Sequence, residues 1–150
     1  KDADKFVCDM VTFWGVIEHV SHPVELLKAA QKSLSADGMV VAEVPRFESF
    51  STAVHEAFPD SVIRHMDPMD HNQCFSDSSL ASAFVLSGLD IVSAWYFGMD
   101  AYEFLSQLAY QVYEDKIMTV GGEKISILQE RLDLGRLSDF LLFVGVPSKQ

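Results

Sequence analysis

Two apolar runs, Val7 to Trp14 (VCDMVTFW) and Met39 to Val44 (MVVAEV), flank an amphipathic segment and constrain this chain more than any other feature. The first is rich in β-branched and aromatic residues and carries Asp9 as its one charge. Nearly continuous hydrophobicity predicts strands covered on both faces, which belong to parallel sheets flanked by helices. Between the runs, Val24, Leu27, Ala30, Gln31 and Leu34 recur at helical spacing from Pro23 to Leu34, with Leu26 widening the stripe. Ser21 is the expected N-cap, and Pro23 falls near the first turn, where a missing N–H costs little. Ser35 to Gly38 (SADG) is expected to turn the chain with Gly38 at positive φ. Pro45 then stops the second strand. Strand, helix and strand in succession make a right-handed βαβ unit.

The rest of the chain continues the alternation. Arg46 to Asn72 has no clean period and reads as an irregular or partly helical cover over the strand ends. Asp77 to Leu86 is a predicted helix, capped by Ser76 and ended near Gly88. Leu89 to Phe97 is a third strand, Ala101 to Met118 a helix, Gly121 and Gly122 a break, and Lys124 to Leu134 another helix. Asp139 to Val146 is a fourth strand. The expected class is α/β. The first strand looks central, yet little chain precedes it, and an uncovered strand of this composition is an aggregation hazard. The expectation is therefore the C-terminal portion of a single longer domain.

At 150 residues the chain suits one domain with a proper core. Its formal charge of −11 argues against nucleic acid and anionic membranes as partners, since both need clustered Lys and Arg. No apolar run approaches the roughly 20 residues of a membrane span. The opening KDADKF lacks the pattern of a signal peptide. Cys8 and Cys74 are too few for a disulfide framework, so a cytoplasmic location is expected.

In open α/β sheets, ligands bind at the carboxyl ends of the strands. Trp14 to His22 follows the first strand and Pro45 to Phe47 follows the second. Trp, Glu, His and Arg are concentrated there, as a small-molecule site requires.

The stretch CDMVTFWGVIEHVSHPVELLKAAQKSLSADGMVVAEVP resembles the middle of a class I S-adenosylmethionine-dependent methyltransferase. The resemblance rests on Asp9, Val16-Ile17-Glu18-His19-Val20, His22-Pro23, Asp37-Gly38 and Pro45. HNQCFSDSSLASAFVLSGLDIV, His71 to Val92, resembles a later part of the same family. The resemblance implies a Rossmann-like three-layer fold represented by its strands four to seven, the last antiparallel between the second and third strands of this chain. A helical insertion at 99–137 would be extra to the family core.

It also implies S-adenosylmethionine as cofactor, with Phe13, Trp14 and Gly15 at the cofactor. His19 and Glu18 would be catalytic, and Arg46, His71 and Tyr96 would meet a small-molecule methyl acceptor. A sulfonium methyl is already activated, so alignment of a nucleophile is the main task, and His19 is placed to act as its base. The family's Gly-rich cofactor loop has no counterpart, there being no Gly-x-Gly in these residues. The isolated chain is thus expected to be inactive, and a non-catalytic assembly or binding module is the alternative. A homodimer through the Val7–Trp14 edge or the 99–137 helices is expected.

No metal is expected. His65 to His71 (HMDPMDH) clusters His and Asp, but Asp67-Pro68 reads more simply as a turn. Glu18 to His22 (EHVSH) lacks the spacing of a zinc-protease helix. His22 and His55 are expected to face solvent.

Overall fold

In a computed structural model that describes residues 6–58 and 69–149, the strands form one sheet. The elements in chain order are β1 (Cys8–Trp14), α1 (Pro23–Lys32), β2 (Leu34–Pro45), α2 (Phe50–Ala57), α3 (Asp77–Leu86), β3 (Leu89–Phe97), α4 (Asp100–Val112), α5 (Lys116–Leu134) and β4 (Phe140–Pro147). The sheet order is β1-β2-β4-β3, with β1 and β2 parallel and β4 antiparallel to both its neighbours. This is the arrangement that the family resemblance implies. The His65 to Pro68 part of the expected turn lies outside the described residues.

The core lies on the sheet face covered by α1 and α3. Phe13, Val40, Ala42, Val44, Leu89, Leu141 and Phe143 meet Leu27 and Ala30 of α1 and Leu80, Ala83 and Phe84 of α3. Each large side chain buried there contributes about 1.5–3 kcal/mol. Helix α3 starts at Ser76, whose side chain accepts from the Ser79 N–H while the Ser79 hydroxyl accepts from the Ser76 N–H. It ends at Gly88, whose φ of 75° is cheap only without a Cβ. Helices α4 and α5 pack against each other, and α5 touches β3. Among the described residues no helix is long and apolar enough to cross a membrane.

Several local expectations are corrected. Residue 22, not Ser21, is the N-cap of α1, and His22 makes no side-chain cap bond there. Ser35 to Gly38 is not a separate turn but an irregular part of β2, since Cys8 pairs with Leu34 and Met10 with Met39. The Ser35 hydroxyl donates to Asp9 across this bulge. Gly38 is not at positive φ; a Cβ there would come within 3.0–3.2 Å of Leu34, Ser35 and Asp9, so close approach explains the glycine. The Gly121-Gly122 pair does not break the chain: α5 runs through it, and a Cβ on Gly121 would come within 3.0 Å of Leu105 on α4. The break falls earlier, at Tyr113, which ends α4 in the left-handed region at φ 54°. His55 is buried, because α2 packs against α4 through the face it shares with Ser51 and Val54.

Candidate functional site

The chain leaves β1 through Gly15, whose φ of 58° turns it sharply. Ile17 and Glu18 then fold inward and are both buried. Residues 70–73 lie against this loop. The Asn72 and Gln73 N–H groups donate to the Glu18 carbonyl at 3.0 and 3.1 Å. Their side-chain amides donate to the His19 and Val20 carbonyls at 2.6 and 3.0 Å. Main-chain and side-chain bonds together fix where Glu18 and His19 point.

His19 Nδ1 lies 2.6 Å from the Asp70 carbonyl. A carbonyl only accepts, so Nδ1 carries a proton, and in the neutral imidazole Nε2 presents its lone pair. Nε2 faces Glu18 Oε1 at 3.7 Å, too far for a hydrogen bond. The His71 ring lies 4.7 Å from that of His19, centroid to centroid. The structure thus brings together three of the expected site residues, Glu18, His19 and His71. Two of their buried atoms, Glu18 Oε2 and His71 Nδ1, make no hydrogen bond among the described residues.

The remaining candidates are placed differently. Arg46 is buried and donates through Nε to Asp77 and through Nη1 to the Glu48 carbonyl. Its guanidinium lies 5.6 Å from the Tyr96 ring, and the Tyr96 hydroxyl donates to Asp77 at 2.9 Å. Burial, then the bond to Asp77 and its charge, raise the Tyr96 pKa above its ordinary value. Arg46 and Tyr96 therefore form an Asp77-centred group. It occupies the same end of the sheet as His19, because β1 and β2 run parallel. Phe13 is buried in the core, whereas Trp14 is 56% exposed and open to a ligand.

A buried acidic network at this end escaped the sequence reading. Asp100 accepts from the Ser51 and Asp139 N–H groups, and Asp139 accepts from the Met99 N–H. Both aspartates are fully buried, and the Asp139 carbonyl accepts the Arg46 N–H. The available signal was an aspartate just beyond β3 and another just before β4, whose antiparallel pairing makes those ends neighbours. Burial, then the charge of Asp139, push the Asp100 pKa up to about 6. The folded state accordingly holds a proton that the unfolded chain releases near pH 4. Stability falls as pH rises through that window, by ~1 kcal/mol between pH 5 and 7. Asp139→Asn removes the neighbouring charge but not the burial, and urea unfolding at the two pH values should show that fall reduced.

Residues 2–94 match the methyltransferase domain family. Among solved structures, a complex of the Haloferax volcanii Trm112 methyltransferase activator with a methyltransferase matches at TM-score 0.57 and 18% identity, over 100% of this chain and 58% of that one. An S-adenosylmethionine-dependent methyltransferase from Thermotoga maritima matches at TM-score 0.61 and 14% identity, over 99% and 60%. One from Archaeoglobus fulgidus matches at TM-score 0.54 and 17% identity, over 94% and 60%. No curated protein matches the sequence. The chain spans about three fifths of the length of these structures. With the family matched over most of the chain and the fold shared with these structures, this chain belongs to the methyltransferase domain family and has the class I S-adenosylmethionine-dependent methyltransferase fold.

Proposed function

We propose that the protein transfers a methyl group from S-adenosylmethionine to a small-molecule acceptor in the cytoplasm. The observation that carries this reading is the convergence of Glu18, His19 and His71 at the carboxyl end of β1, within the matched segment. Trp14 and Gly15 would line the cofactor beside Phe13, with the Trp14 indole face available to a sulfonium. His19 Nε2 would take the acceptor proton, and Glu18 would stabilise the imidazolium that results. Arg46 and Tyr96, already joined through Asp77, would form a wall of the acceptor pocket. This chain would supply the C-terminal portion of the domain, with 99–137 as a helical insertion.

Calorimetry tests the cofactor assignment. Full-length protein should bind S-adenosylmethionine one to one, and the 150-residue chain should bind it weakly or not at all. Micromolar affinity in the isolated chain would refute this division of labour. The open edge of β1 supports a second, assembly reading. Met10 and Trp14 on it are 52% and 56% exposed. Pairing with a second copy would satisfy this edge. Sedimentation of the isolated chain should then exceed the monomer mass of 16.7 kDa.

A further inference from the structure

We propose that Glu18, His19 and His71 form a binding site for a divalent first-row transition metal, with Zn²⁺ its simplest occupant. One ligand atom from each lies within 4.8 Å of the others. Donors about 2.0–2.2 Å from a tetrahedral zinc are themselves about 3.4 Å apart. A turn of the Glu18 carboxylate and a small tilt of the His19 ring about its bond to Asp70 would close that gap, the His19 side chain being 42% exposed. Two imidazoles and a carboxylate are a borderline donor set, suited to zinc and its neighbours rather than to calcium or magnesium.

Three further observations point to a cation. His19 Nε2, a lone pair by the tautomer that Asp70 imposes, faces the Glu18 carboxylate across 3.7 Å. Two acceptors set against each other leave room for a positive charge between them, which a metal ion or a proton on Nε2 would supply. Among the described residues, Glu18 Oε2, on a residue 2% exposed, has no partner, and neither does His71 Nδ1. Buried groups of this kind are rarely left so. Asp70, finally, holds Nδ1 of His19 as outer-shell carbonyls hold the histidine ligands of metals. The loop bonds from Asn72 and Gln73 fix the Glu18 backbone in the same way.

Three protein ligands with an open side make a site that keeps a position for water or an acceptor oxygen. Metal and base catalysis use the same Nε2 lone pair, so with a cation bound His19 would serve as a ligand, and the cation would acidify the acceptor, whose proton would pass to water. Metal binding goes beyond the methyl-transfer reading and is tested without it.

The test uses full-length protein freed of metal by chelation and titrated with Zn²⁺ by calorimetry at neutral pH. One equivalent should bind at micromolar affinity or better. Glu18→Gln, which keeps the size of the side chain, and His71→Asn should each weaken binding by about 10-fold or more. His22→Asn, on an exposed histidine outside the group, should not. Imidazole NMR on the unmodified protein provides a readout independent of variant folding: Zn²⁺ should shift the His19 and His71 resonances together. Absence of binding, binding that survives both substitutions, or zinc-induced shifts confined to other histidines would each overturn the proposal.

Discussion

His19→Ala in the full-length enzyme should lower kcat by roughly 10²-fold or more, about 2.7 kcal/mol of transition-state stabilisation. The expectation follows from one hydrogen bond. Asp70 fixes the proton on Nδ1, so Nε2 is ready to accept another without a tautomer change. Glu18 is buried at 3.7 Å from Nε2, where it would stabilise an imidazolium under the proposed mechanism. Glu18→Gln removes that charge and keeps the shape. It should lower kcat in the same direction as His19→Ala, because the imidazolium formed in the reaction would lose its neighbouring anion. A purely structural His19 would leave kcat unchanged while its loss lowers thermal stability. An unaltered kcat in His19→Ala would therefore return the residue to a structural role.

Gly98→Ala should destabilise the fold by about 3 kcal/mol, at the upper end for overpacking. A Cβ on Gly98 would fall 1.8 Å from Asp139 Oδ1 and 2.8 Å from Asp100 Oδ2. Neither oxygen can give way freely, since both aspartates are fully buried and hold backbone N–H groups. Displacing Asp139 leaves the Met99 N–H without its acceptor and disturbs the join between β3 and β4. Gly88→Ala is the comparison: its Cβ would meet nothing within 4 Å, and only the positive φ is strained. It should cost about 1 kcal/mol. Chemical denaturation of the two variants separates the effects, and equal losses would remove the steric argument.

Much of the fold was legible because its signals are local. The apolar run at Val7 to Trp14, the Ser76 cap and the Gly88 stop each depend on a few adjacent residues, and each reappears in the structure. The antiparallel insertion of β4 between β2 and β3 came from the family resemblance, since no local pattern encodes strand order. The errors arose where tertiary contact overrides propensity. Gly121 reads as a breaker, but close approach to Leu105 accounts for a small residue inside α5. His55 reads as surface until α2 is seen to pack against α4.

The site shows the same division. Glu18 and His19 stand out beside a strand end, but their meeting with His71 depends on the packing of residues 70–73 against the loop. The opposition of Asp100 and Asp139 likewise depends on register between β3 and β4, which single-residue properties do not reveal. Arg46 looked available because its partner, Asp77, is distant in sequence.

The most direct measurement is transfer of labelled methyl from S-adenosylmethionine by the full-length protein, incubated with a fractionated cell extract. The site predicts that label enters the small-molecule fraction, and that His19→Ala suppresses this entry. Label remaining in S-adenosylmethionine, or passing only to nucleic acid or protein, would contradict it.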